Sequence, residues 1–381
     1  MATSAFPGPG GRPGQGRERR SGGAGPRPAG GPDSEPARRR RRHASLFRVV
    51  LEVVVLALAA VFVILRAGGN AGKVGAAFYH LRWHWLMVSL AAEAVSLTAL
   101  SWLQQKLLRV GRLEVGVREL LPVTMASNAV AQSLPAGTLF AEGYAFRQYQ
   151  RLGATRALGL WAELSAGAIA SAALAAVAVA GAVVVGSPLR WSLLPSLSFV
   201  LAGALVAVAL FRRADLLSRV IGAVLARLER VLPASLCGHL RAAEQATRRM
   251  SEFRPSYGLF GACLGAAVLN WAMDAVVMLM GLLTVGGPVP WRGVLLSYAA
   301  AQLLVELPVT PGGLGLVEGG LVEVLTRFGV PVTQATAATL MYRAVSYWSL
   351  LIVGWAAAGW LTVRNRRADR SLDAAAKATP A

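Results

Sequence analysis

The sequence predicts an all-α polytopic membrane protein with six spanning helices and two re-entrant hairpins, each broken by a Pro-Gly element, arranged as two inverted repeats. Three observations carry this prediction. The chain of 381 residues is 55% hydrophobic and only 15% charged, where a soluble domain holds about a quarter charged residues. Six uninterrupted apolar stretches reach the roughly 20 residues that a spanning helix needs. Two further apolar stretches are interrupted in the middle, and their interruptions match each other along the chain.

Residues 1–45 are rich in Gly, Pro and Arg and lack apolar periodicity, so they read as a disordered basic cytoplasmic tail. The tail ends in Arg38-Arg39-Arg40-Arg41-Arg42, directly before the first apolar stretch. A cleaved secretory signal is the competing reading, but the tail is too long and the apolar run too extended. The first stretch is therefore expected to stay as an anchor, with its arginines inside and in contact with anionic lipid headgroups.

The six expected spans are 46–65, 85–103, 157–185, 191–211, 257–285 and 333–363. Residues 120–144 are broken by Leu134-Pro135-Ala136-Gly137, and residues 294–324 by the run from Leu307 through Pro311-Gly312-Gly313-Leu314-Gly315. Proline removes a backbone donor and glycine favours irregular backbone, so a continuous helix through either break is not expected. Lys106, Arg109, Arg112 and Arg118 precede the first broken segment, and Arg147, Arg151 and Arg156 follow it. Both flanks favour the cytoplasm, which makes this segment a hairpin that dips in and returns. With the second broken segment entering from outside, both termini are cytoplasmic.

The broken segments are copies of one another. Pro135, Gly137, Glu142, Gly143, Arg151 and Gly153 recur as Pro311, Gly313, Glu318, Gly319, Arg327 and Gly329, each 176 residues on. Ala92-Glu93-Ala94-Val95 also resembles Met273-Asp274-Ala275-Val276. The repeats are taken as 46–186 and 190–363 within a transmembrane domain of 46–363, followed by a cytoplasmic tail of 364–381. An odd number of spans between the hairpins turns the second repeat upside down, a plan that recurs in secondary transporters. In the loop 212–254, Leu217, Val220, Ile221, Val224 and Leu228 share a helical spacing against Arg219, Arg227 and Arg230. This pattern reads as an amphipathic helix on the inner leaflet, or as a docking site for a partner.

A net charge of +20 raises nucleic-acid binding, but the arginines lie in short runs between apolar stretches and not along one surface, so no nucleic acid is expected. Cys237 and Cys263 imply no disulfide framework, and His80 with His84 lacks a third ligand. No metal or cofactor is expected. Gly68 to Lys73 falls one residue short of a phosphate-binding loop and lacks its hydroxyl, so ATP hydrolysis by this chain is not expected. No soluble catalytic domain is recognisable, and the chain is expected not to be an enzyme.

Ionisable groups at membrane depth are costly, which makes each a functional candidate. These are Glu93, Glu142, Glu163, Asp274, Glu306, Glu318 and Arg343, accompanied by Asn128, Gln132, Asn270 and Gln302. Glu163 and Arg343 are expected to pair across the repeat axis, either at a working site or as an ion pair that only fixes helix register. Glu142 and Glu318 fall just past the breaks, where a carboxylate either meets a cationic headgroup or caps exposed amides. Pro311, Gly312 and Gly313 either line a substrate path or make a tight turn, and Tyr342 either bonds a phosphate or packs as an ordinary aromatic.

The run Pro311-Gly312-Gly313-Leu314-Gly315-Leu316-Val317-Glu318, with Tyr342-Arg343 and Tyr347-Trp348, resembles the signature of the lysylphosphatidylglycerol synthase transmembrane region, also called the flippase-like domain. Asn128, Pro135, Gly137 and Glu142 resemble that family's first-half pattern. The resemblance covers residues 46–363 and implies an association with lipid flipping. Family members that aminoacylate lipid carry a further soluble domain, and no counterpart is recognisable here. The expected function is that of a translocase for a phospholipid or polyprenyl-linked lipid in a bacterial inner membrane, not driven by ATP in this chain. The alternative is a membrane scaffold for a separate glycosyltransferase or lipid-modifying enzyme, held through 212–254. An intramembrane transferase would need an acidic metal-binding motif that the sequence lacks.

Overall fold

The apolar stretches expected at 85–103, 157–185 and 257–285 lie in long single helices of 28 to 30 residues. The computed structural model describes residues 82–186, 255–305 and 310–378, together with isolated positions between 198 and 253. The elements are α1 (Trp83–Val110), α2 (Val117–Ser133), α3 (Gly137–Arg151), α4 (Arg156–Val185), α5 (Tyr257–Val285), α6 (Val294–Val305), a single 3-10 turn at Pro311–Gly313, α7 (Leu316–Arg327), α8 (Val332–Arg343) and α9 (Leu350–Ala378). A π-helical turn over Ala344–Ser349 joins α8 to α9. No strand occurs among the described residues. Two expected spans, 46–65 and 191–211, lie outside the described residues. So do the N-terminal tail, Glu306 and, apart from isolated positions, the amphipathic loop 212–254.

Among the described residues four helices are long and apolar enough to cross a membrane: α1, α4, α5 and the rod Val332–Ser371. At 1.5 Å per residue the first three measure about 42–45 Å, the thickness of a bilayer with its headgroup layers. Local chemistry sets their ends. Thr155 Oγ1 accepts the Leu158 N–H at 3.2 Å to start α4, and Ser256 Oγ accepts the Leu259 N–H at 3.2 Å to start α5. Both are side-chain caps that satisfy amides otherwise left open at a helix start. Helix runs on past Val363 to Ala378, so the segment expected as a tail begins as a continuation of the last span.

Both expected breaks are present. α2 and α3 are separated at Leu134-Pro135-Ala136, with Ala136 left-handed at φ 52°. The 176-residue displacement also holds for the elements, since Arg151 ending α3 maps on Arg327 ending α7, and Arg156 starting α4 lies 176 before Val332 starting α8.

Hydrogen bonds fix the directions. Arg82 N–H donates to Thr284 O at 3.3 Å, and Asn270 Nδ2 donates to Ser96 Oγ at 2.7 Å. The start of α1 therefore meets the end of α5, and the two run antiparallel along their length. Glu93 and Asp274 are 181 residues apart and so do not match each other at the 176-residue displacement. They come together because antiparallel helices bring them to the same level, beside the Ser96–Asn270 bond.

The helix pairs α2–α3 and α6–α7 open toward opposite ends of the bundle. Leu113, before α2, packs on Gly153, after α3, and this pair lies at the end where α1 finishes. Gly293, before α6, packs on the Phe328 ring, after α7, at the end where α1 begins. The first end carries Lys106, Arg109, Arg112, Arg118, Arg147, Arg151 and Arg156, and Arg151 bridges there to Asp369 of α9 at 3.5 Å. The second carries Arg82, Arg292 and Arg327.

Two apolar clusters flank the middle. One gathers Leu107, Leu120, Trp161 and Ile169 around α1, α2 and α4, and the other gathers Met278, Tyr298, Leu321 and Leu325 around α5, α6 and α7. Val179, Val183, Ile352 and Val353 face outward, as a lipid-contacting surface requires. Between helices lipid supplies no hydrophobic drive, so close packing of small residues takes over. At Gly354 of α9 a Cβ would overlap the Met125 carbonyl and stand 2.6 Å from Ala129 Cβ of α2. Gly354→Leu is expected to cost about 1–3 kcal/mol of stability by overpacking, seen as a lower thermal midpoint in detergent. Gly359→Leu, on an open face of the same helix, should leave the midpoint unchanged.

Candidate functional site

Residues of both breaks line one polar cavity of about 320 Å³ in the middle of the bundle. The first break contributes Leu134, Ala136, Gly137 and Thr138, and the second contributes Thr310 and Gly312. α1 and α5 add Glu93, Ser96, Asn270, Trp271 and Asp274, and α2 adds Asn128 and Gln132. Gln302, Tyr342, Arg343 and Ser346 complete the polar lining. Such polarity inside an apolar bundle is stable only where its groups satisfy one another or face a cavity.

Asp274 of α5 is held by three donors from two helices, α6 and α8. Its Oδ2 accepts from Tyr298 OH at 2.8 Å, Gln302 Nε2 at 2.7 Å and Tyr342 OH at 3.2 Å. Gln302 Nε2 also donates to Tyr342 OH at 3.0 Å. The carboxylate is thus fixed in one orientation, with Oδ1 meeting no donor. Glu93 Oε2 and Gln132 Oε1 likewise meet none.

Arg343 locks the second break. Its Nε donates to Glu318 Oε1 at 2.6 Å and its Nη2 to Gly312 O at 3.0 Å, while the guanidinium lies 4.1 Å from the centre of the Tyr347 ring. Glu318 Oε2 accepts the Gly315 N–H at 2.6 Å, so one carboxylate both caps α7 and pairs the arginine. The π-helical turn that follows Arg343 presents Ser346 O to Gln132 Nε2 at 3.4 Å, and Tyr347 OH donates to Gln132 O at 3.2 Å. π turns often occur at functional positions, and this one ties the second half of the chain to the end of α2.

Of the residues singled out in the sequence, Glu93, Asp274, Gly312, Tyr342 and Arg343 line the cavity, and so do the polar companions Asn128, Gln132, Asn270 and Gln302. Glu318 stands behind Arg343, and Pro311 with Gly313 forms the turn that presents Gly312. Tyr342 spends its hydroxyl on Asp274. The pairing expected between Glu163 and Arg343 does not form, because Arg343 is taken by Glu318. Glu163 instead lies beside Tyr149 and Glu142, and neither Glu142 nor Glu163 is among the cavity's lining residues.

The repeat explains this asymmetry. Displaced by 176 residues, the pair Glu318–Arg343 falls on Glu142 and Gly167, and a Cβ at Gly167 would stand 4.0 Å from Glu142 Oε1. The first repeat keeps the carboxylate's direction and has glycine where the second has arginine. Ser96, Thr138, Trp271, Thr310 and Ser346 were not anticipated. Small hydroxyl residues are common in membrane helices, and only the bond between Ser96 and Asn270, 174 residues apart, ties one of them to the repeat.

Comparison with known proteins agrees with the resemblance seen in the motifs. The profile of the lysylphosphatidylglycerol synthase TM region matches residues 49–354. A UPF0104 membrane protein of Methanocaldococcus jannaschii is 38% identical over 58 residues, covering 15% of this chain and 25% of the relative. A UPF0104 membrane protein of Methanothermobacter thermautotrophicus is 33% identical over 88 residues, covering 23% and 25%. One of Pyrococcus horikoshii is 28% identical over 97 residues, covering 26% and 28%. The matched stretches span about a quarter of each relative's length.

Proposed function

The chain belongs to the lysylphosphatidylglycerol synthase transmembrane-region family and is an integral multi-pass membrane protein, and from that premise we propose that it translocates the headgroup of a lipid or lipid-linked precursor. The observation that carries this reading is the meeting of two chain breaks, entering from opposite ends, at one polar cavity in an apolar bundle. A headgroup crosses through such a cavity while its acyl chains stay in the bilayer, and no bond is made or broken. The antiparallel α1 and α5 support two repeats inverted about the Ser96–Asn270 level, with α2–α3 and α6–α7 as the re-entrant hairpins. The arginine-rich end is assigned to the cytoplasm of a bacterial inner membrane, where it also attracts anionic headgroups.

Glu93 and Asp274 give the cavity acceptors for a headgroup that donates, either an ammonium or a set of hydroxyls. Arg343 is already committed to Glu318, so a phosphate would have to compete with a buried ion pair.

Filling the cavity tests the reading. Ala170 of α4 lines it, and Ala170→Trp is expected to reduce the crossing of headgroup-labelled phosphatidylglycerol and phosphatidylethanolamine in reconstituted vesicles to the level of protein-free vesicles. The variant must elute as folded protein. Undiminished crossing in such a variant removes the cavity as the path, and no protein-dependent crossing of any headgroup by the wild type removes the translocase.

A further inference from the structure

Glu93 is 8% exposed, lines the cavity from the middle of α1, and has one carboxylate oxygen with no donor. Asp274 faces the same space from α5, near enough for the two carboxylates to interact electrostatically, and its Oδ1 also lacks a donor. The bond between Ser96 and Asn270 holds the two helices together one turn away. Two acidic groups are therefore fixed at the level where the two repeats meet.

Few groups around the cavity could balance them. α5 presents Asp274 itself, α6 the Tyr298 hydroxyl, and α8 the Tyr342 hydroxyl and Arg343. Arg343 is ion-paired with Glu318 of α7, so it only partly offsets the charge of Asp274. α2 brings Asn128 and Gln132, and α4 brings Ala170, none of which titrates. Among the described residues lining the cavity, then, two interacting carboxylates share one space with no uncommitted cation.

Two neighbouring carboxylates away from water do not both stay ionised, because each loses hydration and repels the other. A single proton removes one charge and supplies the missing donor. We infer that Glu93 and Asp274 together hold one exchangeable proton, which makes the centre of the cavity a proton-binding site. The proton arrives from water, forms an O–H bond on a carboxylate oxygen, and leaves by the reverse step. Sodium fits less well because Asp274 Oδ2 is already occupied by three donors, which leaves one oxygen of that carboxylate for a cation. That this proton drives headgroup movement rests on the translocase reading, whereas the site itself does not.

Infrared difference spectroscopy of the full chain in lipid vesicles tests the site by the C=O stretch of a protonated carboxylic acid. The wild type is expected to show this band at neutral pH and to lose it on alkaline titration. Glu93→Gln should remove it. Asp274→Asn should make it vanish at a lower pH than in the wild type, since the neighbouring negative charge is gone. Glu163 also carries a buried carboxylate oxygen without a donor, so the Glu93→Gln difference is also taken on a Glu163→Gln background, where it should persist.

A spectrum unchanged by Glu93→Gln overturns the site. A band that appears only when sodium is replaced by N-methylglucamine assigns the position to sodium and overturns it equally. Because the signal comes from protein carboxyls, a band without any lipid crossing would count against the translocase and leave the proton site standing.

Discussion

Arg343→Met is expected to destabilise the protein by about 3–5 kcal/mol, the cost of breaking a buried ion pair from one side. The two side chains are 6% and 7% exposed, and removal of the arginine leaves a carboxylate oxygen, the Gly312 carbonyl and the Tyr347 face without their cation. Methionine approximates the length of the stem, so the loss reports the charge and its hydrogen bonds more than a cavity. The double variant Glu318→Gln/Arg343→Met should recover part of the stability. The glutamine still has an oxygen to accept the Gly315 N–H, and no uncompensated charge remains. Thermal midpoints in mild detergent, combined as a double-mutant cycle, measure this coupling. Additive losses would mean that the pair does not hold the break.

Gly312→Ala is expected to be the second severe change, for two separable reasons. Its φ of 54° lies in the left-handed region, where an L side chain costs about 1–2 kcal/mol. A Cβ there would also overlap the Tyr347 ring and approach Gln132 O at 3.1 Å. The ring cannot swing away freely, since its hydroxyl is bonded to Gln132 O and Arg343 lies over its face. Gly312→Ala/Tyr347→Leu should therefore relieve the overlap and keep the backbone cost, giving a midpoint between Gly312→Ala and Tyr347→Leu alone. Full recovery would show that backbone geometry at Gly312 is not limiting.

How much was legible in the sequence differs by element. The spans α1, α4, α5 and the last one were readable because hydrocarbon imposes a minimum apolar length, and that length shows in any single chain. The breaks were readable because Pro135 and Pro311 remove a donor and Gly312 admits a left-handed backbone. The repeat was readable because both breaks carry the same residues at one displacement. Helix ends came out less well: α9 runs on through the arginines after Val363, since helical propensity does not stop where the apolar pattern does.

Side-chain partners were not legible. Glu163 and Arg343 looked like a pair by their depth in comparable spans, whereas Glu318, close to the break, reaches Arg343 first and takes it. Glu142 matched Glu318 in the repeat and differs in outcome because position 167 is glycine where position 343 is arginine. Glu93 and Asp274 matched through a local likeness that is out of register with the helices, yet the structure brings them to one cavity by antiparallel packing.

By itself, then, the sequence determined the solvent, the class of fold, the two breaks and their repetition, because membrane insertion and backbone chemistry act on contiguous residues. Only the tertiary structure decided that the breaks meet at one cavity, that Arg343 serves Glu318, and that two carboxylates from antiparallel helices share the centre. Those outcomes depend on which helix faces cross at which level, a relation between residues some 25 to 180 positions apart that no local pattern encodes.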